Sequence, residues 1–444
     1  MKLLYTAIIC FFCNIVFLFG QSDSLPSKEI VKTNWNIGGI PVVAYNSDLG
    51  LQYGIIVNPF YYGDGSTYPN YLHKLYFEVS RYTKGSGIYR FYYNSKYIVP
   101  GVNTFFDFSY LTDEAYDFYG FNGGQSIYNE TWIQRENNDY VGAYFYDTQR
   151  KMFRVKLDFQ GKTSIPHLGW IAAAQYRNTR LNRPNFDLLN KGKSADELIP
   201  SDSTLYDKYV NWNLIPTSDA TGGVITNVKC GLLYDSRDIE ANPTKGIWTE
   251  AVVTVSPSFL STHASYGICN ITHWHYVSLI PQRLTFAYRA IFQSHLFGAV
   301  PWYVLPDIET SVLTAATNEG IGGAASMRGV LRNRIVGKQT LFGNLELRYK
   351  IVSFRVKKQN MYIATNGFYD IGTILQPLEF TTSLISEAER NLYFTDSYTG
   401  IHSSAGIGLK IAMNQNFIIS VEYGKAMQKQ NGNTGLYIRL NYLF

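Results

Sequence analysis

The strongest constraint on this chain is a repeat of two. In "TLFGNLELRYKI", Leu341, Gly343, Leu345, Leu347, Tyr349 and Ile351 share one face of a strand, while Phe342, Asn344, Glu346, Arg348 and Lys350 share the other. Successive side chains of a strand point to opposite faces, so such a segment needs an apolar surrounding on one side and a polar one on the other. The same division runs through "KMFRVKLDFQ", where Phe153, Val155, Leu157 and Phe159 oppose Arg154, Lys156, Asp158 and Gln160. It returns in "RLTFAYRAIFQ", "SSAGIGLKIAM" and "FIISVEYGKAM". Beyond the first residues there is no apolar run of the ~18 that a membrane-crossing helix needs.

Composition indicates the compartment. The chain opens "MKLLYTAIICFFCNIVFLFGQ", with Lys2 as a positive start, Leu3 to Phe19 as an apolar core and Gly20 before Gln21. That order describes a secretory signal peptide over residues 1–20. A retained anchor is the competing reading, but the segment is short and no stop-transfer charges follow. Ile9 and Phe12, ahead of Cys10 and Cys13, are too bulky for lipoprotein cleavage. Cys230 and Cys269 are then the cysteines of the mature chain, too few for a disulfide scaffold. The chain carries 36 Tyr and 27 Phe, and 16% of its residues are charged. Ordinary soluble domains hold about 25% charged residues, so an exported, Tyr-rich, charge-poor chain points to a transmembrane β-barrel. The margin of 39 Lys and Arg over 34 Asp and Glu gives no nucleic-acid footprint.

The alternating segments number about sixteen, from Ile37–Tyr45 to Leu436–Phe444, with Tyr140–Gln160 read as one long strand. The fold expected is all-β: a sixteen-stranded antiparallel transmembrane barrel over residues 37–444, preceded by a short periplasmic segment, 21–36. Both termini on the periplasmic side would place Asp113–Asp139, Leu181–Gly222, Leu296–Thr340 and Leu375–Ile401 together on the outer face. A soluble β-sandwich is disfavoured because the apolar faces end in Tyr, Phe and Trp, as membrane-interface girdles do.

Certain segments carry a resemblance. "GLLYDSRDIEANPTKGIWTEAVVTV" holds Tyr234, Asp235, Arg237 and Asp238, then Pro243, Thr244 and Gly246. This is similar to a strand–turn–strand segment of the BamA/TamA outer-membrane assembly family, the bacterial surface antigen barrels. Pro243 presets a turn and Gly246 permits positive φ, so a tight periplasmic reversal is expected there. "SMRGVLRNR" resembles that family's Arg-Gly-aromatic loop motif at Arg328 and Gly329, with Val330 in the aromatic place. "NLELRY" and "GFYDIG" match the following strands, with Glu346, Arg348, Phe368, Asp370 and Gly372 facing inward. "FYGFNGG" (Phe118–Gly124) resembles a segment of Bacteroidetes-type members. Family members usually carry periplasmic POTRA domains ahead of the barrel; the ~16 residues from Gln21 to Asn36 fall below the ~40 that fold alone, so the chain reads as a member lacking them.

The resemblance implies a long outer loop folded into the lumen, with Arg328 and Gly329 held against Asp370 and Glu346. The competing reading is a surface loop whose basic residues touch lipopolysaccharide phosphates. Gly38, Gly39 and Pro41 weaken pairing where the first and last strands meet, which suggests a lateral seam; Pro41 simply opening the first strand explains them equally. Tyr442 and Phe444, on one face with Leu436, Ile438 and Leu440, resemble the terminal signal read by the barrel assembly machinery. His273 and His275 lie on one strand face and both could point inward, a weak metal signal. Cys230 and Cys269 sit two strand spacings apart, near ~10 Å, beyond disulfide reach. No catalytic motif stands out, so neither an enzyme nor a cofactor is expected. The function expected is outer-membrane protein or lipid assembly or translocation in the bacterial outer membrane, with membrane lipids, lipopolysaccharide and periplasmic proteins as partners; the alternative is a passive or gated pore.

Overall fold

The computed structural model describes residues 30–46, 50–83, 85–190, 192–201, 204–262, 265–311, 320–395 and 400–444. The expected signal peptide, 1–20, and most of segment 21–36 lie outside these residues. Among the described residues sixteen strands are formed: β1 Trp35–Asn46, β2 Gly50–Tyr61, β3 His73–Tyr82, β4 Gly87–Val99, β5 Val102–Asp117, β6 Asp147–Lys162, β7 Leu168–Asn182 and β8 Gly222–Asp235 in the first half. The second half contains β9 Gly246–Ser256, β10 Tyr266–Ile280, β11 Leu284–Phe297, β12 Gln339–Val356, β13 Gln359–Gln376, β14 His402–Met413, β15 Phe417–Ala426 and β16 Thr434–Leu440. Each pairs antiparallel with its neighbours in sequence, and β1 meets β16 to close the barrel. Pairing on both sides spares every strand from β2 to β15 the free edge that an open sheet would leave in lipid.

The two-residue repeat decides which side chains fill the lumen. On β12 Leu341, Leu345 and Leu347 are exposed to the outside, while Phe342, Asn344, Glu346 and Arg348 are buried within. On β6 Arg154, Lys156 and Asp158 are buried and Leu157 is exposed. Cys230 is exposed on the outward face with Val228 and Leu232, and it and Cys269 are free thiols. The long connections after β5, β7, β11 and β13 all leave the same end of the barrel, opposite the two-residue turn between β12 and β13.

The long connections pack on one another. Phe118 stands edge-on to Phe121, Tyr206, Tyr209 and Trp302, with ring centroids 5.0–5.8 Å apart. Trp132, Phe145 and Tyr146, with Tyr393 and Phe394, extend this cluster over the barrel end. Short helices α1 (Phe186–Asn190), α2 (Leu205–Asn211) and α3 (Glu387–Tyr393) lie in these connections. Here the strand expected over Tyr140–Gln160 is corrected: β6 starts at Asp147, and Phe145 and Tyr146 are buried in the dome. An aromatic run satisfies a loop core as well as it satisfies a strand.

Three further expectations are corrected. The strand expected to Phe444 ends at Leu440, and Asn441 takes φ 67°. Tyr442, Leu443 and Phe444 then turn into the lumen, so Tyr442 and Phe444 do not share the lipid-side face of Leu436 and Ile438. His273 and His275 point outward, because Thr272, Trp274 and Tyr276 take the buried face; His275 Nδ1 lies 3.1 Å from the Tyr288 hydroxyl. The turn between β8 and β9 is a ten-residue connection, 236–245, and not a tight reversal.

Candidate functional site in the barrel lumen

The connection between β11 and β12 descends into the lumen, and its second limb, from Gly320, is shaped by glycine. Gly322 has φ 128°, and a Cβ there would meet the Leu331 carbonyl oxygen at 1.9 Å. Gly329 has φ 95°, and a Cβ there would lie 2.7 Å from the carbonyl carbon of Gly424 on β15. A Cβ on Gly424 would in turn meet Arg328 O at 2.6 Å, so loop and wall approach backbone to backbone because neither carries a side chain. Ile321 bridges Ile335, and Val330 packs with Met327, Phe342 and Ile374.

That approach delivers Arg328 to a wall of acids. Its Nε and Nη2 donate to the two carboxylate oxygens of Asp370 at 3.0 and 2.8 Å. Nη1 donates to Glu346 and to Glu422, both at 2.7 Å, and the backbone N–H donates to Asp370 at 3.0 Å. The guanidinium carbon lies 3.5 Å from the centroid of the Phe368 ring. Arg328, Asp370, Glu346 and Glu422 all have side chains with 0% exposure. Three carboxylates around one planar cation outweigh the burial that would otherwise lower it, and hold Arg328 well above the usual guanidinium range.

Further donors fix these acids. Lys410 donates to Glu422 at 2.6 Å, and Asn344 to Asp370 at 2.7 Å and to Ser326 O at 2.6 Å. Arg348 donates to Glu346 at 2.8 Å and to Phe444 O at 3.0 Å, and lies 4.4 Å from the Tyr442 ring centroid. The tail residues Tyr442 and Phe444 are thereby joined to the same cluster as the loop. Gly329 N donates to the Tyr437 hydroxyl of β16 at 3.1 Å. Higher in the loop, Arg332 donates to Asp117 at 2.7 Å, and Arg334 to the carbonyls of Gly123 and Ser126, each at 2.7 Å. Burial lowers the Arg334 guanidinium to about 10.

The first limb of the same connection carries the opposite charge. Asp307 pairs with Arg177, Glu309 with Lys229 at 2.9 Å, and Ser311 N donates to Glu250 at 3.0 Å. Lys229 and Lys156 also donate to the Thr310 and Ser311 carbonyls, at 2.8 and 3.1 Å. Sequence reasoning missed this limb, together with Glu422 and Lys410. The signal was "PDIETS" lying in a loop while alternation set Lys156 and Lys229 inward.

The turn motif sits at the short-turn end. Asp235 accepts both Arg237 Nε and Nη2, at 2.9 and 2.8 Å, and Asp238 accepts from Ile239 N, Thr244 N and the Thr244 hydroxyl. Gly246 has φ 103°, and Pro243 is buried. Arg237 lies 5.8 Å from the Trp248 and Trp274 rings, and Trp274 touches Phe444.

The remaining group lies at the closure. Gly38, Gly39 and Pro41 are paired along β2 opposite Asn58, Val57 and Ile55, so that side of β1 is fully laddered. On the other side, among the described residues, β1 and β16 share one ladder position, Asn46 opposite Tyr437. The Phe417 ring of β15 approaches Gly38, where a Cβ would lie 3.4 Å from it. A lumenal cavity of about 1450 Å³ is lined by Val42 and Val43 of β1 and by Ile438, Arg439 and Leu440 of β16. Neighbouring residues on a strand face opposite ways, so the cavity reaches the gap between these two strands.

The Omp85 superfamily domain model matches residues 76–442. Among solved structures, BamA from Haemophilus ducreyi lacking POTRA domains 1–3 superposes with a TM-score of 0.52 at 16% identity, over 92% of this chain and 70% of that one. CdiB from Escherichia coli gives a TM-score of 0.52 at 11% identity, over 94% of this chain and 63% of that one. No curated protein matches the chain. With four-fifths of its length covered by the family model, the chain belongs to the Omp85 superfamily, and its barrel is one of the bacterial outer membrane.

Proposed function

We propose that this barrel serves outer-membrane protein or lipid assembly or translocation, with the β1–β16 junction as a lateral seam and the Arg328 loop as its internal lock. Membership of the Omp85 superfamily supports the assembly or translocation class. The observation that carries the finer reading is that, among the described residues, β1 and β16 share a single ladder position, beside a cavity that reaches the gap. Among the described residues this pair has fewer ladder positions than any other in the sheet, which supports its opening before the rest. Gly38, Gly39 and Pro41 keep β1 weakly committed to a partner on that side. The lock holds the lumenal loop to β12, β13 and β15 while the seam moves. Tyr442 and Phe444 serve the assembly machinery as a recognition signal before folding, since both are buried afterwards. Membrane lipids, lipopolysaccharide and periplasmic proteins are the proposed partners, and the reading invokes no catalytic group or cofactor.

The seam is tested by a reversible crosslink. Antiparallel register from Asn46–Tyr437 sets Tyr45 opposite Ile438. In a chain with Cys230→Ser and Cys269→Ser, the pair Tyr45→Cys and Ile438→Cys is oxidised in the native bacterium. The expected result is a fall in outer-membrane barrel proteins or lipopolysaccharide that reduction restores. An unchanged envelope with complete crosslinking removes the seam from the mechanism. The pore reading predicts the opposite: steady conductance in planar bilayers, equal with and without the crosslink.

A further inference from the structure

Cations that face the lumen mostly meet an oxygen. Arg90 and Arg154 share Asp107, Arg150 meets Asp113, Lys410 meets Glu422, and Arg334 is held by carbonyls. Lys74 on β3 differs: among the described residues no oxygen accepts from its ammonium. Its alternation partners Phe77 and Val79 are exposed outward, so Lys74 points inward, and it lines the lumenal cavity. Its Nζ lies 5.7, 6.0 and 5.8 Å from the ring centroids of Phe60, Tyr71 and Tyr92. Rings attract a cation but leave its hydrogen-bond donors unused. Around it, Asn58 and Asn94 are each 4% exposed and line the same cavity, with amide oxygens that have no partner. An ammonium without an oxygen acceptor, with spare amides beside it, is a receptor for an anion that also offers donors or ordered water.

The rest of the cavity indicates what carries the anion. From Lys74 the wall continues through Phe60 and Ile56 to Val42, Val43, Ile438 and Leu440 at the gap between β1 and β16. The polar end is inside and the apolar end meets the membrane. We propose that the pocket around Lys74 binds the phosphate-bearing headgroup of a lipid, whose acyl chains leave the barrel between β1 and β16. This rests on the seam reading for the path of the lipid, but not for the headgroup contact. A free phosphate could satisfy Lys74 alone, yet would leave the apolar end of the cavity without a function.

The full barrel is purified in detergent, exchanged into phosphatidylglycerol or phosphatidylcholine, and examined by native mass spectrometry; heat-modifiable gel mobility checks that every variant is folded. Phosphatidylglycerol is expected to be retained by the wild type and by Lys74→Arg. Lys74→Gln should lose about tenfold or more, the scale of one charge-assisted hydrogen bond. Equal retention by a folded Lys74→Gln barrel overturns the site and leaves the seam reading standing. Displacement of the lipid by millimolar inorganic phosphate overturns the lipid assignment in favour of a free anion, and persistence supports it. With the Tyr45→Cys and Ile438→Cys crosslink closed, failure to load lipid from vesicles supports the path. Undiminished loading overturns the path while Lys74 keeps its ligand.

Discussion

The loop between β11 and β12 grips the barrel wall with two limbs, and they do so by different means. The acidic limb, Asp307 to Ser311, spreads its contacts over Arg177, Lys229, Lys156 and Glu250, and several of them run from lysine to backbone carbonyl. A lysine is a point charge on a flexible stem, so each such contact tolerates a shift of the loop. The basic limb concentrates on one guanidinium, gripped in two places by Asp370, shared with Glu346 and Glu422, and pressed to the wall at Gly329 and Gly424. Planar bidentate geometry allows no shift without loss of both bonds. One limb has the character of a tether and the other that of a latch. In the proposed lock, this difference would place any two-state behaviour in the basic limb.

The largest expected effect follows from removing the latch. Arg328→Ala leaves three buried carboxylates around an empty place, and breaking a buried pair from one side costs about 3–5 kcal/mol. Thermal unfolding followed by heat-modifiable mobility measures it. Arg328→Lys should restore little, because an ammonium cannot grip Asp370 twice. In a double-mutant cycle, Asp370→Ala should cost far less in the Arg328→Ala background than in the wild type. Additive costs would mean that the two residues act separately and would dissolve the contrast between limbs.

The contrast also marks how far the sequence could be read. Strand number and the common side of the long connections follow from the two-residue repeat, since a strand in lipid has little freedom to hide its pattern. Arg328, Glu346 and Asp370 were linked through the family resemblance, and alternation on β12 and β13 supplied their inward direction. Glu422 also falls on an inward face of "FIISVEYGKAM", but alternation says which way a residue points and not which loop arrives there. The acidic limb was invisible for the same reason. Tyr442 and Phe444 were misplaced because the pattern runs on past Leu440, whereas the turn at Asn441 is set by packing of Phe444 against Trp274 and Tyr276. His273 and His275 were left open because they alternate with Trp274 and Tyr276, and aromatic residues suit a packed lumen as well as a membrane interface.

A smaller effect sharpens the geometry of the latch without touching its charge. Gly424→Ala places a methyl group where Arg328 O lies 2.6 Å away. The neighbour is backbone, so the loop must lift, and forced overpacking of this kind costs about 1–3 kcal/mol. Limited proteolysis of the loop should quicken together with the loss of stability. If Gly424→Ala leaves both unchanged, the close approach is incidental, and the latch is the ion cluster alone.

The tether should yield least. Glu309→Gln keeps an acceptor for Lys229 but removes the charge, so the expected loss is about 1 kcal/mol, within the range of a single hydrogen bond. Acid provides the same test without mutation. Burial alone would raise the Glu309 carboxyl, but Lys229, with Arg177 and Lys156 near it, outweighs burial and holds it below the ordinary value. A depressed carboxylate contributes its full stability above the unfolded-state value of about 4.3 and loses it as pH falls through the folded value. The wild type should therefore gain little stability over Glu309→Gln once the pH is below that lower value, while the two differ fully at neutral pH. A difference that persisted unchanged into strong acid would show that Glu309 acts by shape and not by charge, and the acidic limb would then resemble the latch more closely than its lysine contacts allow.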